Sequence, residues 1–395
     1  MSLSLSPRFA LKFDRELHRR RIGGMEVIIH CHHYNARLQK TIEEASSVAG
    51  KTIIVSTAEA VFARHLRSVL EEADTPTVRW QAAAELYAHL GYGRLDFSQV
   101  AEGVVTASAS HFAEGWRASF GRRTTPVCSF AEGYIQGAIA AVVGRPAHVR
   151  ETECIFLGAP VCRFEVDTTR TEPLHEYERR PATRPTQDKV RSLSATIDEE
   201  RIIDALVEMP IVGNEQGLIP AFNVYLANTP ADFYNLVALR FIEGMERANL
   251  GAIARSMLVE CAESCAMNTF RGILASAEWD ALIAPMVKQP TDRLFGLVAV
   301  SNALGWGNWQ VVEHTAEKTL QMASRNGYEA VGHLELRGAS TEPACMMLTG
   351  VATGMMELLY GQGSVQERLG QFTGVERSCC CVGAHHCAFE VEVAA

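Results

Sequence analysis

Apolar side chains recur at helical spacing along three stretches of the first half of the chain. Residues 62–70, 82–90 and 129–143 place them three and four positions apart, which predicts helices. Short runs rich in β-branched residues at 27–29 and 162–166 predict strands. Because helical segments fill most of this half and a strand closes it, we predict an α+β fold in which a small antiparallel sheet packs with several helices.

The same motifs occur twice along the chain. Residues 90–93, Leu-Gly-Tyr-Gly, return as Leu-Gly-Trp-Gly at 304–307, and the closing strand at 162–166 returns at 387–391. The offset is more than 200 residues, which is far longer than the repeat of a solenoid protein. Each copy is therefore long enough to have its own hydrophobic core.

The repeat predicts two homologous domains, residues 1–167 and 199–395. The segment between them, 168–198, contains Pro, Arg and Thr without apolar periodicity, which predicts a linker. Two copies in one chain favour an intrachain pseudo-dimer, in which the copies pack as two subunits would. Gly133 recurs as Gly350, each followed by another glycine one helical turn later, which predicts close approach of that helix to a neighbour.

The composition excludes several classes of protein. With 47% hydrophobic and 21% charged residues, the chain has the balance of a soluble globular protein. The net charge of −9 argues against direct binding of nucleic acid, and no apolar stretch is long enough for a membrane span. The first residues lack the pattern of a secretory signal, so a cytoplasmic location is expected, and a homodimer is compatible with these features.

Cysteine stands out in the composition, with eleven residues. In a reducing compartment, cysteines favour metal ligands, reactive thiols or buried small side chains over disulfides. The spacing Glu-x2-Cys-x7-Cys occurs in each copy with a glycine midway between the two cysteines, which predicts a hairpin whose thiols face the same place. A third cysteine precedes an apolar helix, whose positive end favours the thiolate. The predicted metal ligands are Cys128, Glu151, Cys154 and Cys162 in the first copy and Cys345, Glu376, Cys379 and Cys387 in the second.

Three thiolates and one carboxylate form a tetrahedral set that suits structural Zn²⁺, one ion per copy. Each glutamate lies three residues from its cysteine, so coordination requires a β-bulge or a strand start there. The alternative is that these cysteines are ordinary core residues. Cys345 lies eight residues further from Glu376 than its counterpart does from Glu151, so Cys380 or Cys381 could take its place.

This ligand pattern resembles the 4-vinyl reductase domain, most strongly over residues 85–166 and 299–393. That family includes a protein of bacteriochlorophyll synthesis, phenol- and toluene-sensing transcriptional activators and archaeal hydrocarbon-binding proteins, and its fold is related to Golgi transport-complex subunits and haem nitric-oxide sensors. The resemblance implies a zinc ion held by the residue types predicted above. It also implies a small hydrophobic or aromatic ligand, buried beside the zinc-bearing hairpin and oriented by His or Trp.

Several residues could provide that polar contact with a ligand, although each Trp could equally fill the core. The candidates are Trp80, His111 and Trp116 in the first copy and Trp306, Trp309 and His314 in the second.

The run His30-Cys31-His32-His33 has no counterpart in the second copy. If the strand at 27–29 continued through it, His30 and His32 would share one face. With Glu43 or Glu44 nearby, such imidazoles could bind a second, catalytic metal such as iron. The alternative is a solvated turn. The candidate catalytic residues are His30, Cys31, His32, His33 and Glu43.

Three functions follow from these features. The first is a ligand-binding module with a structural zinc in each copy. The second is a metal-dependent enzyme of redox, tetrapyrrole or aromatic metabolism that uses the histidine run. The third is an adaptor whose zinc sites are purely structural and whose fold encloses no ligand.

Overall fold

The structure, a computed structural model, describes residues 7–182 and 194–394. The elements of the first half are β1 (Lys12–Asp14), β2 (Arg19–Ile22), β3 (Met25–Cys31), α1 (His32–Glu43), α2 (Gly50–Val69), α3 (Pro76–His89), β4 (Gly93–Asp96), β5 (Val104–Ser110), α4 (His111–Ser119), α5 (Ser129–Val143), β6 (His148–Glu153) and β7 (Cys162–Asp167). The elements of the second half are α6 (Glu199–Glu208), β8 (Ile219–Ala221), β9 (Val224–Pro230), α7 (Ala231–Glu246), α8 (Gly251–Leu274), α9 (Ala277–Leu282), α10 (Asp292–Ala303), β10 (Trp309–Thr315), β11 (Thr319–Ser324), α11 (Tyr328–Arg337), α12 (Met346–Tyr360), α13 (Val365–Arg368), β12 (Phe372–Ser378) and β13 (Cys387–Val393).

The two halves have the same order of elements once β1, α6, α9 and α13 are set aside. Each half carries a four-stranded antiparallel sheet, ordered β4-β5-β7-β6 in the first and β10-β11-β13-β12 in the second. Helix α5 packs on α2, and α12 packs on α8 in the same way. The predicted α+β class is confirmed.

A third sheet joins the halves, with the strand order β1-β2-β3-β9-β8. At its centre β3 and β9 are antiparallel, and Val27 pairs with Pro230 while His30 pairs with Ala227. The repeat offset of 200 relates the two pairs: position 27 corresponds to 227, and position 230 corresponds to 30. The strands therefore meet about a local two-fold axis, as two subunits of a symmetric dimer do.

Contacts are also exchanged between the halves. The backbone N–H of Asn228 donates to Leu90 O at 2.8 Å, and the N–H of Ile29 donates to Leu304 O at 3.0 Å. The buried guanidinium of Arg20 on β2 donates to Ala303 O at 3.1 Å. Each half thus completes its packing with a hairpin from the other, since β2–β3 and β8–β9 each reach across the two-fold axis.

The described part of the predicted linker is packed against the protein. The Arg170 side chain is buried beside Glu59, and its guanidinium donates to that carboxylate at 2.5 Å. Arg179 forms an ion pair with Asp232 at 3.2 Å. Residues 183–193 of that linker lie outside the described residues, and the boundaries at 167 and 199 stay predictions.

Glycines allow the helix pairs to approach closely, as the sequence predicts. A Cβ atom on Gly133 would lie 2.3 Å from Val55 O on α2, and one on Gly350 would lie 2.2 Å from Val259 O on α8. These distances are far below van der Waals contact. Within 7–182 and 194–394, no helix combines the length and the apolar character that a membrane span requires.

Candidate metal centres and an adjoining cavity

Each predicted metal centre lies at a β-hairpin that faces the start of a helix. Cys154 and Cys162 flank the turn between β6 and β7, where Gly158 adopts a left-handed φ of 96°. Cys128 is the residue before α5 and faces this turn. The second half repeats the arrangement with the hairpin β12–β13 and Cys345 before α12.

A β-bulge brings each glutamate into its cluster. The register of β6 against β7 shifts between Glu151 and Glu153, and the register of β12 against β13 shifts between Glu376 and Ser378. A bulge adds one residue to one strand, so the alternation of side-chain faces is broken at that point. This irregularity lets a glutamate three residues from a cysteine point to the same side.

The four predicted ligand atoms of each half lie within 4.8 Å of one another. Each group consists of three thiols and one carboxylate, and the residues are buried apart from the half-buried Glu376. Within the described parts of the chain, no other group of three or more His, Cys, Asp or Glu side chains is arranged to hold a metal ion. The two clusters could each hold one ion.

The spacing of the sulfur atoms tests whether zinc would fit. Zinc–sulfur bonds of about 2.3 Å at tetrahedral angles place two sulfurs about 3.8 Å apart. In the second cluster the Sγ atoms of Cys345, Cys379 and Cys387 are separated by 3.7, 3.7 and 3.8 Å. In the first cluster Cys128 and Cys162 are 3.8 Å apart. The three thiols of the second cluster therefore already have the spacing of a tetrahedral site, and the one pair given for the first cluster agrees with it.

The glutamates supply a second test. In both clusters one carboxylate oxygen accepts a backbone hydrogen bond at 2.8 Å. The N–H of Cys128 donates to Glu151, and the N–H of Cys345 donates to Glu376. The other oxygen, Oε1, is buried and has no hydrogen-bond partner among the described residues in either case. A buried carboxylate oxygen without a partner is costly, and a bound cation would remove that cost.

The electrostatics of the clusters also favour a cation. Hydrogen bonds from the neighbouring thiols lower the pKa of Cys154 to about 2 and lower that of Cys379 as well. Burial raises the pKa of Glu151 to about 8 and that of Glu376 to about 9. Negative charge at one thiol thus disfavours ionisation of its neighbours, and a dication would allow all four ligands to ionise.

The longer connection in the second half does not displace Cys345. The extra residues lie after α12 and form α13, so the start of α12 keeps its position beside the hairpin. The thiol of Cys380 lies 3.6 Å from Arg325 O and also interacts with the thiol of Cys387. Cys381 lies beside the cluster, with its Sγ 3.2 Å from that of Cys379.

The six residues predicted to contact a ligand are not gathered in one pocket. Trp80 stacks on Phe97 at 5.0 Å along an open groove beside α3. His314 lies against Tyr360 at the sheet of the second half. Four of the six are buried within the core, namely His111, Trp116, Trp306 and Trp309.

Trp306 and His111 have structural partners. The indole N–H of Trp306 donates to Ile29 O at 2.9 Å. His111 Nε2 is 2.9 Å from the side-chain amide of Asn35. These contacts cross between elements of the core, so neither side chain is directed into an open space.

A cavity that the sequence did not indicate lies beside the second cluster. It has a volume of about 180 Å³, and Ala344 and Met346, the two neighbours of Cys345, form part of its wall. Its apolar lining on α7 consists of Ala238, Leu239 and Ile242. Charged pairs border it, including Arg337 with Glu243 at 2.9 Å. The cavity is thus partly open to solvent, lined by both polar and apolar side chains, and adjacent to a candidate metal ligand.

The corresponding space in the first half is filled by aromatic side chains. Trp116 is 2% exposed and packs against Phe120 and Phe156, and the guanidinium of Arg123 lies 4.6 Å from the centre of its ring. Between Cys128 and Cys345 the offset is 217 residues, and this offset aligns Trp116 with His333. It also aligns Phe112 with Glu329. Aligning the two copies residue by residue would have revealed this loss of aromatic volume.

Among the described residues, the histidine run is not part of a group of three or more side chains that could hold a metal ion. The predicted strand ends at Cys31, because the Cys31 Sγ accepts the backbone N–H of Tyr34 and caps α1, so His32 and His33 belong to the helix. The prediction that His30 and His32 lie on the same face of a continued strand is therefore wrong.

The members of the run contact different groups. The Tyr225 N–H donates to His32 Nδ1 at 3.1 Å, and His33 Nδ1 is 2.8 Å from Ser119 Oγ. Glu43 accepts from Ser129 at 2.6 Å and from Arg123 at 2.9 Å. The Cys31 thiol is 2.7 Å from Thr269 Oγ1 and 3.9 Å from Cys265.

His30 is enclosed by aromatic rings. Its ring centre lies 4.3 Å from that of Tyr34, 4.8 Å from Tyr234 and 5.0 Å from Trp306. Neither ring nitrogen has a hydrogen-bond partner among the described residues, and burial lowers the pKa of His30 to about 3. His30 is therefore a neutral core side chain at the junction of the halves.

Comparison with known proteins supports the family resemblance for part of the chain. The family model of the 4-vinyl reductase domain matches residues 109–168, which contain the whole first cluster. A solved structure of the phenol-responsive sensory domain of the transcription activator PoxR, with phenol, is 20% identical and covers 40% of this chain and 84% of its own, with a TM-score of 0.35. No curated protein matches the chain. The resemblance to this family is confirmed over residues 109–168.

Proposed function

We propose, from the family match at residues 109–168 and the cavity beside the second cluster, that this protein binds a small aromatic molecule in its second half. The main observation behind this proposal is the cavity of about 180 Å³ whose wall includes both neighbours of Cys345. An enclosed apolar cavity of about 150 Å³ holds benzene, and this space of about 180 Å³ is of similar size, although it is partly open and has polar as well as apolar walls. The space beside Cys345 therefore suits a single substituted ring.

The polar groups of the cavity favour a ligand that donates a hydrogen bond. His333 Nδ1 lies 3.2 Å from Gly338 O, and a carbonyl can only accept, so Nδ1 carries the proton. Burial lowers the pKa of His333, which keeps the ring neutral and leaves Nε2 as an acceptor. A phenol-like hydroxyl would match this acceptor better than an unsubstituted hydrocarbon would.

Glu329 supports the same choice. Its carboxylate lies at the cavity and accepts the backbone N–H groups of Met347 and Leu348 at 2.9 Å, at the start of α12. Burial raises its pKa to about 8. The carboxyl group is therefore largely neutral at pH 7. The two arginines of the lining, Arg255 and Arg337, are paired with glutamates, so the cavity offers no free positive charge and disfavours an anionic ligand.

The metal in this proposal is zinc, one ion in each half, held by the two clusters described above. Four protein ligands would fill a tetrahedral shell, so the ions would be structural. In the second half the ion would fix Cys345 and with it the start of α12, which is one wall of the cavity. Metal and ligand would therefore stabilise the same part of the fold.

The two halves have different roles in this proposal, as products of a tandem duplication. The first half keeps Trp116, Phe120 and Phe156 in the space that is open in the second half. It would serve as the packing partner, while the second half binds the ligand. An adaptor without a ligand would have no need of a cavity beside Cys345.

The test is a calorimetric titration of the purified chain with phenol as the probe. We expect one binding site per chain. His333→Trp, which introduces the residue found in the first half, should fill the cavity and reduce the affinity by at least about tenfold, while the zinc content stays at about two ions per chain.

The matched control is His314→Trp, since His314 is a histidine of the same half that does not line the cavity. It should leave phenol affinity unchanged. Equal binding by the wild type and His333→Trp would reject the cavity as the site, and metal analysis without zinc in either variant would reject the metal part of the proposal.

A further inference from the structure

Cys381 is a buried thiol that touches the second cluster without being one of its four ligands. Its Sγ lies 3.2 Å from the Sγ of Cys379, and the side chain has no solvent exposure. The thiol points toward Glu342 O at 3.6 Å, which is a long and weak hydrogen bond. A further sulfur is therefore held in contact with one thiol of the triangle, that of Cys379.

The first half has no equivalent of this sulfur. The hairpins align by an offset of 225, which places Phe156 at the position of Cys381 and Ile155 at the position of Cys380. Phe156 contributes to the aromatic packing around Trp116. The second cluster consequently has an additional sulfur beside it, at a position where the first cluster has an aromatic ring.

We propose that Cys381 is a reserve ligand of the second cluster, which can replace Glu376 and convert a site of three sulfurs and one oxygen into a site of four sulfurs. This inference rests on the proposed metal binding. In the exchange the Cys381 sulfur binds the ion and loses its proton, and the departing Glu376 carboxylate takes that proton up. No redox step is involved.

The geometry makes the exchange feasible. Two sulfurs on one tetrahedral ion lie about 3.8 Å apart, so the 3.2 Å contact between Cys381 and Cys379 must lengthen while the Cys381 side chain rotates toward the other two thiols. In this movement the thiol gives up its long contact with Glu342 O. Glu376 would keep the backbone N–H of Cys345 as a partner for Oε2.

The consequence is a difference in metal preference between the halves. Thiolates are soft ligands and carboxylates are hard, so a fourth thiolate favours thiophilic ions such as Cd²⁺ over Zn²⁺. We expect the ratio of Cd²⁺ to Zn²⁺ affinity to be about tenfold higher at the second cluster than at the first.

The experiment loads the metal-free full-length chain with ¹¹³Cd²⁺ and records its NMR spectrum, because the cadmium signal moves downfield as sulfur replaces oxygen in the coordination shell. We expect two signals, one typical of three sulfurs with one oxygen and one typical of four sulfurs. Cys381→Ser should move the second signal to the position of the first. Cys261→Ser is the control and should leave both signals in place, since that buried thiol lies on α8 and belongs to neither cluster. A shift of the second signal in Cys380→Ser but not in Cys381→Ser would overturn the assignment to Cys381.

A second variant keeps the test decisive if Cys381→Ser does not fold. In Glu376→Gln the four-sulfur signal should survive, whereas Glu151→Gln should alter the signal of the first cluster. Two signals of the three-sulfur type in the wild type would overturn the role of Cys381 while leaving metal binding intact. An absence of bound cadmium at both clusters would overturn the metal proposal itself.

Discussion

At the scale of single residues, His30 shows how a conspicuous sequence feature can have a structural role. It is 2% exposed, its ring nitrogens have no partners among the described residues, and three aromatic rings lie within 5.0 Å of its centre. A buried polar group without a partner costs about 1–3 kcal/mol, so replacing it with an apolar ring should be tolerated.

We predict that His30→Phe will be at least as stable as the wild type at pH 7 and less sensitive to acid. The folded-state pKa of about 3 lies below the unfolded value of about 6.5, so the stability that neutral His30 provides is present above pH 6.5 and is lost as the pH falls toward 3. Between pH 6.5 and pH 5 the variant should gain about 2 kcal/mol relative to the wild type. Urea unfolding at several pH values measures this difference.

The control for this prediction is His385→Phe, which changes an exposed histidine. It should not alter the pH dependence. If His30→Phe loses several kcal/mol at pH 7, or if it removes bound metal, the interpretation of His30 as a neutral core residue is wrong.

At the scale of elements, the closest helix contacts depend on glycine. Helix α12 approaches α8 so closely that a Cβ on Gly350 would lie 2.2 Å from Val259 O, and α5 approaches α2 in the same way at Gly133. Helices α5 and α12 each begin directly after a cysteine of a candidate metal cluster. How closely these helices pack on α2 and α8 therefore also sets where Cys128 and Cys345 lie.

Gly350→Ala should therefore destabilise the protein, although alanine is the better helix former by about 1 kcal/mol. The clash is with backbone rather than with a flexible side chain, and overpacking of this kind costs about 1–3 kcal/mol. We expect a lower urea midpoint and weaker zinc retention against a chelator. Gly121→Ala, where no heavy atom lies within 4 Å of the added Cβ, is the control, and equal losses in both variants would contradict the packing argument.

At the scale of the whole molecule, the halves are interleaved. The pairing of β3 with β9, the bonds of Asn228 to Leu90 O and of Ile29 to Leu304 O, and the buried Arg20 all cross from one half to the other. These contacts are backbone hydrogen bonds and buried charges, which are costly to leave unmade.

We predict that fragments 1–182 and 194–395 will assemble into a one-to-one complex when they are co-expressed and will aggregate when they are expressed alone. Light scattering coupled to size exclusion measures the assembly, with the intact chain as the reference. Two fragments that are each monomeric and unfold independently would show that the interleaved contacts are dispensable.

Local spacing explains how much could be predicted from the sequence alone. A hairpin turn and the two-residue period of a strand are properties of short segments, so the spacing of Glu151, Cys154 and Cys162 was enough to predict that these side chains converge. The α+β class and the close approach at Gly133 followed from equally local patterns.

The tertiary structure decided the features that depend on contacts between distant segments. Whether β3 continued through His32 depended on capping of α1 by Cys31, and the cavity depended on which side chains α7, α11 and the start of α12 bring together. An empty space is a lack of side-chain volume between elements far apart in sequence, so only their packing reveals it. The sequence by itself thus determined the chemistry of the two clusters, and the tertiary structure decided that a cavity adjoins one of them.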